Sequence, residues 1–412
     1  APFHYTVKEA KQRGMKVWLY DEGGWPSGQA GGLIVRQHPE LKGKVLFKEG
    51  NEYTIREWGR TDLLNPRATE LFLKLVHEKY KEYVGDEFGK TIPGIFTDEP
   101  KVHGLVASDS IPWTDNIEQI FEKDKGYKLK AYLPMLFNSY PLTSSNYAEV
   151  IKIRIDFSDV WISLFAKSYF GKIHHWCQAN NLIFEGHFSG EDSISNHRKF
   201  LGHYFKLARH LDIPGIDVIW RQIFPGQINK NFPKFASSAA NLSKKRYSLS
   251  ESYAVYGWGL TFAEMKWILN YQLVRGINKF GLMAFNYSTD GSGRISTQSH
   301  MFFKNPKWPY FKYFSEYVAN SCKIMSQGKP EIKIGLYYPI ESLWIGNKRD
   351  KEVEHNLEKI SNILLSQHYD FNYIDDEAIK KAVINRGKLK IGYLSLDAII
   401  VPEAKVFKKA IY

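Results

Sequence analysis

IPGIFTDEP (92–100) and LIFEGHF (182–188) share one pattern: a short apolar run that ends on acidic residues. Apolar runs of this length, set between helix-like stretches, read as buried strands. The same reading extends outward in both directions. YTVKEAKQR (5–13) reads as a helix closed by Gly14, and MKVWLY (15–20) as a buried strand after it. GRTDLL (59–64) is expected to be the next strand, after an irregular segment 33–60 with room for a short hairpin. Asn65-Pro66 opens a helix to about Val84, because proline suits the first helical turn. A long insertion, about 101–148, is rich in Pro, Ser and Tyr, and 149–180 reads as one long helix or a pair. GIDVIW (215–220), KRYSLSES (245–252) and NKFGLMAFNYS (278–288) read as further strands, with a helix around 261–275 between the last two.

Strand ends at 20, 64, 98, 186, 219, 251 and 286 alternate with helices, which argues for a parallel sheet. A strand before the first helix would complete an eightfold barrel. The expectation is therefore an α/β chain whose residues 1–325 form a catalytic (β/α)8 TIM-type barrel with its first strand missing from the sequence. The rival is an open doubly wound sheet. It lacks a G-x-G-x-x-G turn after the first visible strand. After about residue 325, EIKIGLYYP (331–339), a Lys- and Glu-rich helix at 350–367, FNYID (371–375) and LDAIIVPEA (396–404) read as β-α-β-α-β. Residues 326–412 are thus expected to begin a flavodoxin- or Rossmann-like accessory domain that is incomplete at Tyr412.

Composition narrows the function classes. A 43% hydrophobic content supports a large core, and 15% aromatic residues are compatible with sugar stacking as well as with ordinary packing. The net charge of +12 is spread along the chain with acids interleaved, so it reads as a solvated surface and not as a nucleic-acid site. Cys177 and Cys322 make neither a disulfide framework nor a CxxC zinc pair. No apolar run reaches the roughly 18 residues of a membrane helix. The expected partner is a carbohydrate, with no nucleic acid and no membrane.

The acids carry the chemistry. Asp21 and Glu22, Asp62, Asp98 and Glu99, Glu185 and Glu191, Asp217, and Glu251 all fall at or just after expected strand ends. Barrel enzymes gather catalytic groups at the C-terminal ends of strands. One such acid is more often a helix cap or a salt-bridge partner, but a series of them converging on one mouth is harder to explain by packing. Mutual repulsion and burial raise carboxyl pKa values, as a general acid at neutral pH requires. Cleaving a glycosidic bond needs one protonated and one ionised carboxyl group. Glu99 after the fourth strand and Glu251 on the seventh would face each other across the mouth, as acid and as base or nucleophile. Trp25, Trp113, His187, Trp220, Tyr253, Tyr256, Trp258 and Asn286 are candidate surroundings, and Ser252–Trp258 the candidate sugar platform. Two other readings stay open: a catalytically inactive carbohydrate-binding barrel, and a metal-dependent hydrolase, for which His174-His175 is a poor match.

YDEGGWPSGQAGG (20–32), GIFTDEP (94–100), FEGHFSGED (184–192), SESYAVYGWGLTFAEMKW (250–267), FNYSTDGSG (285–293) and NPKWPYFKYFSEY (305–317) resemble the large bacterial glycoside hydrolases related to the family 106 α-L-rhamnosidases. The resemblance covers most of 10–340. It implies hydrolysis of a terminal rhamnoside-like sugar by inversion, with two glutamates as acid and base and with Glu185 as the reserve for either role. The wider retaining clan carries Asn-Glu where this chain has Asp98-Glu99. Asp21, Glu22, Trp25, Asp98, His187, Glu191, Asp217, Tyr256, Trp258 and Asn286 are the expected substrate-binding positions. No cofactor is expected. The resemblance implies that a calcium ion can be held near such a site, although the acids lack EF-hand spacing.

Overall fold

The computed structural model describes residues 2–141, 143–228, 230–285, 301–346 and 350–407. The chain forms two compact units, Ala1–Asp212 with Pro339–Glu354 and Ala404–Phe407, and Ile213–Tyr338 with His355–Glu403 and Lys408–Tyr412. Residues after 325 therefore contribute to both.

In the first unit, β1 (Leu19–Tyr20), β4 (Gly94–Asp98) and β6 (Ile183–His187) form a parallel sheet in the order β1-β4-β6. Between them, β2 (Lys42–Glu49), β3 (Glu52–Thr61) and β5 (Ser110–Trp113) form a separate antiparallel sheet in the order β3-β2-β5. The hairpin foreseen in 33–60 is thus present, but the expected parallel strand at 59–64 is not. β3 ends at Thr61, and Asp62 begins a tight turn in which its Oδ1 accepts from Leu64 N at 3.0 Å and its Oδ2 from Thr114 Oγ1. Residues 52–61 instead pair antiparallel with β2, as the edge strand of that sheet. Of MKVWLY, only the last two residues pair as strand.

Helices follow the cues in the sequence. Asn65 caps the helix beginning at Pro66, its Oδ1 accepting from Arg67 N. Helical structure runs from Tyr147 to Ala179, loosening by a wider turn at Ala166–Gly171. That turn carries Tyr169 and Phe170 into a chain of edge-on rings with Phe165, Phe188 and Tyr204, centroids 5.1–6.3 Å apart. All five are fully buried. Rings of this size each stabilise the fold by about 2–3 kcal/mol through burial, so this cluster holds β6 firmly from behind. Arg154 ties the unit together, its guanidinium donating to the carbonyls of Met135, Asn138 and Ile345.

In the second unit, β7 (Ile213–Val218), β8 (Leu249–Ser252) and β9 (Lys279–Leu282) form a parallel sheet in sequence order. The helix Phe262–Leu273 between β8 and β9 starts at a reciprocal cap, Thr261 bonding Glu264 N and Glu264 bonding Thr261 N. β10 (Ile334–Tyr337) pairs in parallel with β11 (Phe371–Ile374) and, on its other side, with a later strand. Before that strand comes an antiparallel meander, β12 (Val383–Asn385), β13 (Lys388–Ile391) and β14 (Leu394–Leu396). The later strand is β15 (Ala398–Ile400), which gives the parallel order β11-β10-β15. Ile332, Ile374, Ala378, Ile391, Leu394 and Leu396 form the local core beneath the meander. The meander stands where the β-α-β-α-β reading expects a second helix; only Asp376–Lys380 is helical there, and the short strands alternate too weakly to announce themselves.

Candidate active site

Strand pairing sets the geometry in the first unit. Tyr20 pairs with Phe96 and Phe96 with Glu185, while Asp98 pairs with His187 one layer further on. Side chains alternate along a strand, so Tyr20, Phe96, Asp98, Glu185 and His187 share one face. Tyr20 hydroxyl donates to Asp98 Oδ2 at 2.7 Å. His187 Nε2 stands 3.4 Å from Asp98 Oδ1, and its Nδ1 stands 3.3 Å from Glu191 Oε1. A buried imidazole thus lies between two carboxylates, the arrangement that fixes a histidine's orientation. Glu185 and Glu191 are both buried.

Glu99 is the first residue past β4 and adopts a left-handed backbone with φ of 48°. A non-glycine residue there costs about 1 kcal/mol. Its pKa is pushed up to about 7, mainly by burial; Glu191 and Asp98 add to the rise, and His187 and Lys101 oppose it. Near neutral pH this carboxyl group is present in both protonation states, as an acid catalyst requires.

The loop 21–32 is held by its own acids. Asp21 is fully buried, accepting from Ser27 Oγ at 2.6 Å and from Tyr169 hydroxyl at 3.3 Å, and burial raises its pKa to about 8. Glu22 accepts from the backbone N–H groups of Gln29 at 2.7 Å and Gly31 at 2.9 Å; burial nevertheless raises its pKa. Ser27 clasps the end of β4: its N–H donates to Asp98 O and its Oγ accepts from Asp98 N, both at 2.8 Å. Gly28 has a φ of 97° and packs where a Cβ would stand 2.8 Å from Leu63 Cδ2, so only glycine fits that turn. Trp25 is 60% exposed, with Lys101 Nζ 5.2 Å from its ring. The two acids of the loop therefore clamp its shape, and Trp25 is the large side chain it presents to solvent.

In the second unit Asp217 pairs with Glu251 and Glu251 with Gly281, which puts the two carboxyl groups side by side on one face. Asp217 is buried and Glu251 half-buried. Among the described residues, a Cβ added at Gly281 would come within 4 Å only of Glu251 Cα, at 4.0 Å. On the opposite face Ser250 and Ser252 hydroxyls lie 2.8 Å apart, and Gln272 donates to Ser252.

The loops after β7 and β8 are joined by Trp220 N–H donating to Ala254 O. Tyr253 and Tyr256 are buried, their hydroxyls donating to Met265 O and Ile223 O. Of the segment 252–258 it is Trp258, 43% exposed, that presents a ring; Trp220, in the loop after β7, is 66% exposed. Asn286 lies outside the described residues.

Tyr20, Ser27 and Tyr169 serve this site without having been singled out from sequence. Tyr20 and Ser27 sit within the loop motif already quoted, whereas Tyr169 lies mid-helix and gives no local signal.

The profile of glycoside hydrolase family 106, described as alpha-L-rhamnosidase, matches residues 59–395, well over half of the chain. A curated protein of Formosa agariphila, provisionally named a beta-glucuronidase, is 24% identical over 284 residues, 65% of this chain and 22% of that protein. Among solved structures, a rhamnosidase from Novosphingobium sp. PP1Y aligns with a TM-score of 0.65 at 17% identity, over 90% of this chain and 34% of that one. A beta-galactosidase from Rahnella sp. R3 aligns with a TM-score of 0.56 at 12% identity, over 90% and 57%. An exo-carrageenase from Bacteroides ovatus also gives 0.56, at 13% identity, over 98% and 57%. The chain spans about a fifth of the curated relative and about a third of the rhamnosidase. At these identities the structural likeness is one of fold.

Proposed function

The chain belongs to glycoside hydrolase family 106, the alpha-L-rhamnosidase family, and on that premise we propose that it carries the catalytic site of an O-glycosidase releasing a terminal, rhamnoside-like sugar from an oligo- or polysaccharide. Glu99 is the proposed general acid and Glu251 the base that activates water, with Glu185 in reserve. We further propose that the parallel strands belong to a (β/α)8 barrel, and that β10, β11 and β15 open a Rossmann-like accessory fold.

The observation that carries the reading is the setting of Glu99, whose half-buried carboxyl group beside Asp98 and Glu191 titrates near neutrality. In the proposed step the Glu99 proton passes to the leaving glycosidic oxygen as the C–O bond breaks. Glu251 takes a proton from the water that attacks the anomeric carbon. His187, held between Asp98 and Glu191, keeps the neighbouring charges in place. Trp25 and Trp258 offer the exposed rings for the sugar. No step runs through calcium. In the first unit Asp21, Glu22 and Asp98 are engaged by hydroxyl and backbone N–H donors, and His187 is a nitrogen group unlike the all-oxygen shell that calcium takes.

The test uses the complete protein and aryl α-L-rhamnoside. Glu99→Gln and Glu251→Gln should each lower kcat by about a hundredfold or more. The Glu99 variant should recover on a substrate whose leaving group needs no proton, while the Glu251 variant should not. Proton NMR of the first-formed sugar should show inversion. Near-normal rates in both folded variants would overturn the assignment and move it to Glu185.

A further inference from the structure

The second unit contains a cavity of about 680 Å³ at the end of the sheet where β8 and β9 begin, lined by Lys245 and Arg246 ahead of β8 and by Gly276 and Asn278 ahead of β9. Glu251 lies towards the other end of β8. Arg246 lies three residues ahead of β8, whereas Glu251 is its third residue, roughly 7 Å along the strand from Leu249, and does not line the cavity. The cavity is therefore separate from the proposed catalytic carboxyl group, and its size falls in the range of about 300–1,000 Å³ usual for small-ligand sites.

We propose that this cavity is a second carbohydrate site that takes a sugar acid, a hexuronate unit, in preference to a neutral sugar. Its walls carry four cations, Lys234, Lys245, Arg246 and Lys329, against two carboxylates, Asp370 and Glu331. Glu331 is already paired with Lys333 at 2.9 Å. Lys234 is buried, and its ammonium group pairs at 2.6 Å with Asp370, whose side chain is 47% exposed. Arg275, also buried, adds positive charge beside it, and burial together with this neighbour lowers the Lys234 pKa. A second anion in the cavity would relieve that excess.

Two features suit a sugar ring and not a bare anion. Tyr393 is fixed at both ends, its hydroxyl donating to Lys244 O at 2.8 Å and its N–H to Asn241 O at 3.0 Å, which presents a rigid ring as one wall. Leu273, Val274 and Pro330 line other parts, so the cavity offers apolar as well as hydrogen-bonding surface, as a pyranose with its C–H faces and hydroxyl rim requires. At the rim Arg246 Nε donates to Ser326 O and its guanidinium stands 5.2 Å from the Tyr247 ring, while Lys329 Nζ stands 5.4 Å from the Tyr393 ring.

Calorimetric titration of the complete protein with glucuronate, glucose and inorganic phosphate tests the proposal. Glucuronate should bind, more weakly as salt rises, and glucose at least tenfold more weakly. The double variant Arg246→Gln/Lys329→Gln changes two exposed rim residues. It should lose at least tenfold in glucuronate affinity while hydrolysing the aryl rhamnoside at the unaltered rate. Glu251→Gln should bind glucuronate normally, so failure of the catalytic assignment is read separately. The proposal is overturned if the folded protein does not bind glucuronate, if glucose or phosphate binds as well, if the double variant binds unchanged, or if Glu251→Gln abolishes binding.

Discussion

Asp21 and Glu99 are both carboxyl groups raised by burial, yet the structure gives them different work. Asp21 is locked under Ser27 and Tyr169 with a pKa of about 8, and so is mostly protonated at neutral pH. Its folded-state pKa lies above the ordinary value of 3.8. The native state therefore holds this proton more tightly than the unfolded chain does. The contribution is fully present below pH of about 4 and is lost as pH rises through about 8. Asp21→Asn imitates the protonated form. Its melting temperature should fall less than that of the parent protein between pH 5 and 9, measured by calorimetry in matched buffers. An equal fall in both would show that Asp21 does not titrate in this window. Glu99 has the same sign with a different consequence. As its proton leaves near pH 7, kcat should decline, and the alkaline limb of the pH–rate profile should vanish in Glu99→Gln.

At the scale of elements, β4 and β6 place the acids only because they pack closely. Gly186 has a φ of 154°, and a Cβ there would stand 2.1 Å from Thr97 O on the neighbouring strand. Gly186→Ala should lower unfolding free energy by roughly 3 kcal/mol or more, seen in denaturant melts, because the strands must part to admit the methyl group. A loss under about 1 kcal/mol would mean that β6 can shift without harm. This pair of strands was legible in the sequence, as an apolar run and then acids in each case. The strand expected at 59–64 was not legible in the same way. An apolar run before an acid does not reveal its partner, and here residues 52–61 pair antiparallel with β2. Glu22 shows the same limit, since its acceptors serve the N–H groups of its own loop.

At the scale of the whole molecule, each compact unit is assembled from distant stretches of chain. Pro339–Glu354 belongs to the first unit, and Trp344 within it is buried, its indole N–H donating to Gly202 O at 2.8 Å. Trp344→Ala should therefore cost about 3–5 kcal/mol, the usual loss for a buried tryptophan. Native-state hydrogen exchange should show the loss in the strands of the first unit, far away in sequence. Confinement of the effect to residues after 325 would contradict this arrangement.

The sequence by itself determined most of the parallel strands and the helices between them, and it marked Glu99, Glu185, Asp217 and Glu251 as strand-end acids, because apolar runs, caps and breakers act over a few neighbouring residues. It also carried the family likeness, through motifs that are local. Only the tertiary structure decided which acids clamp a loop and which share a sheet face. It also set Asp217 beside Glu251, raised the pKa of Glu99, and opened a cationic cavity at the start of β8 and β9. Burial, register and charge coupling are properties of groups brought together in space. Asp98 and His187, which pair across two strands, are 89 residues apart in the chain, and no local pattern encodes that meeting.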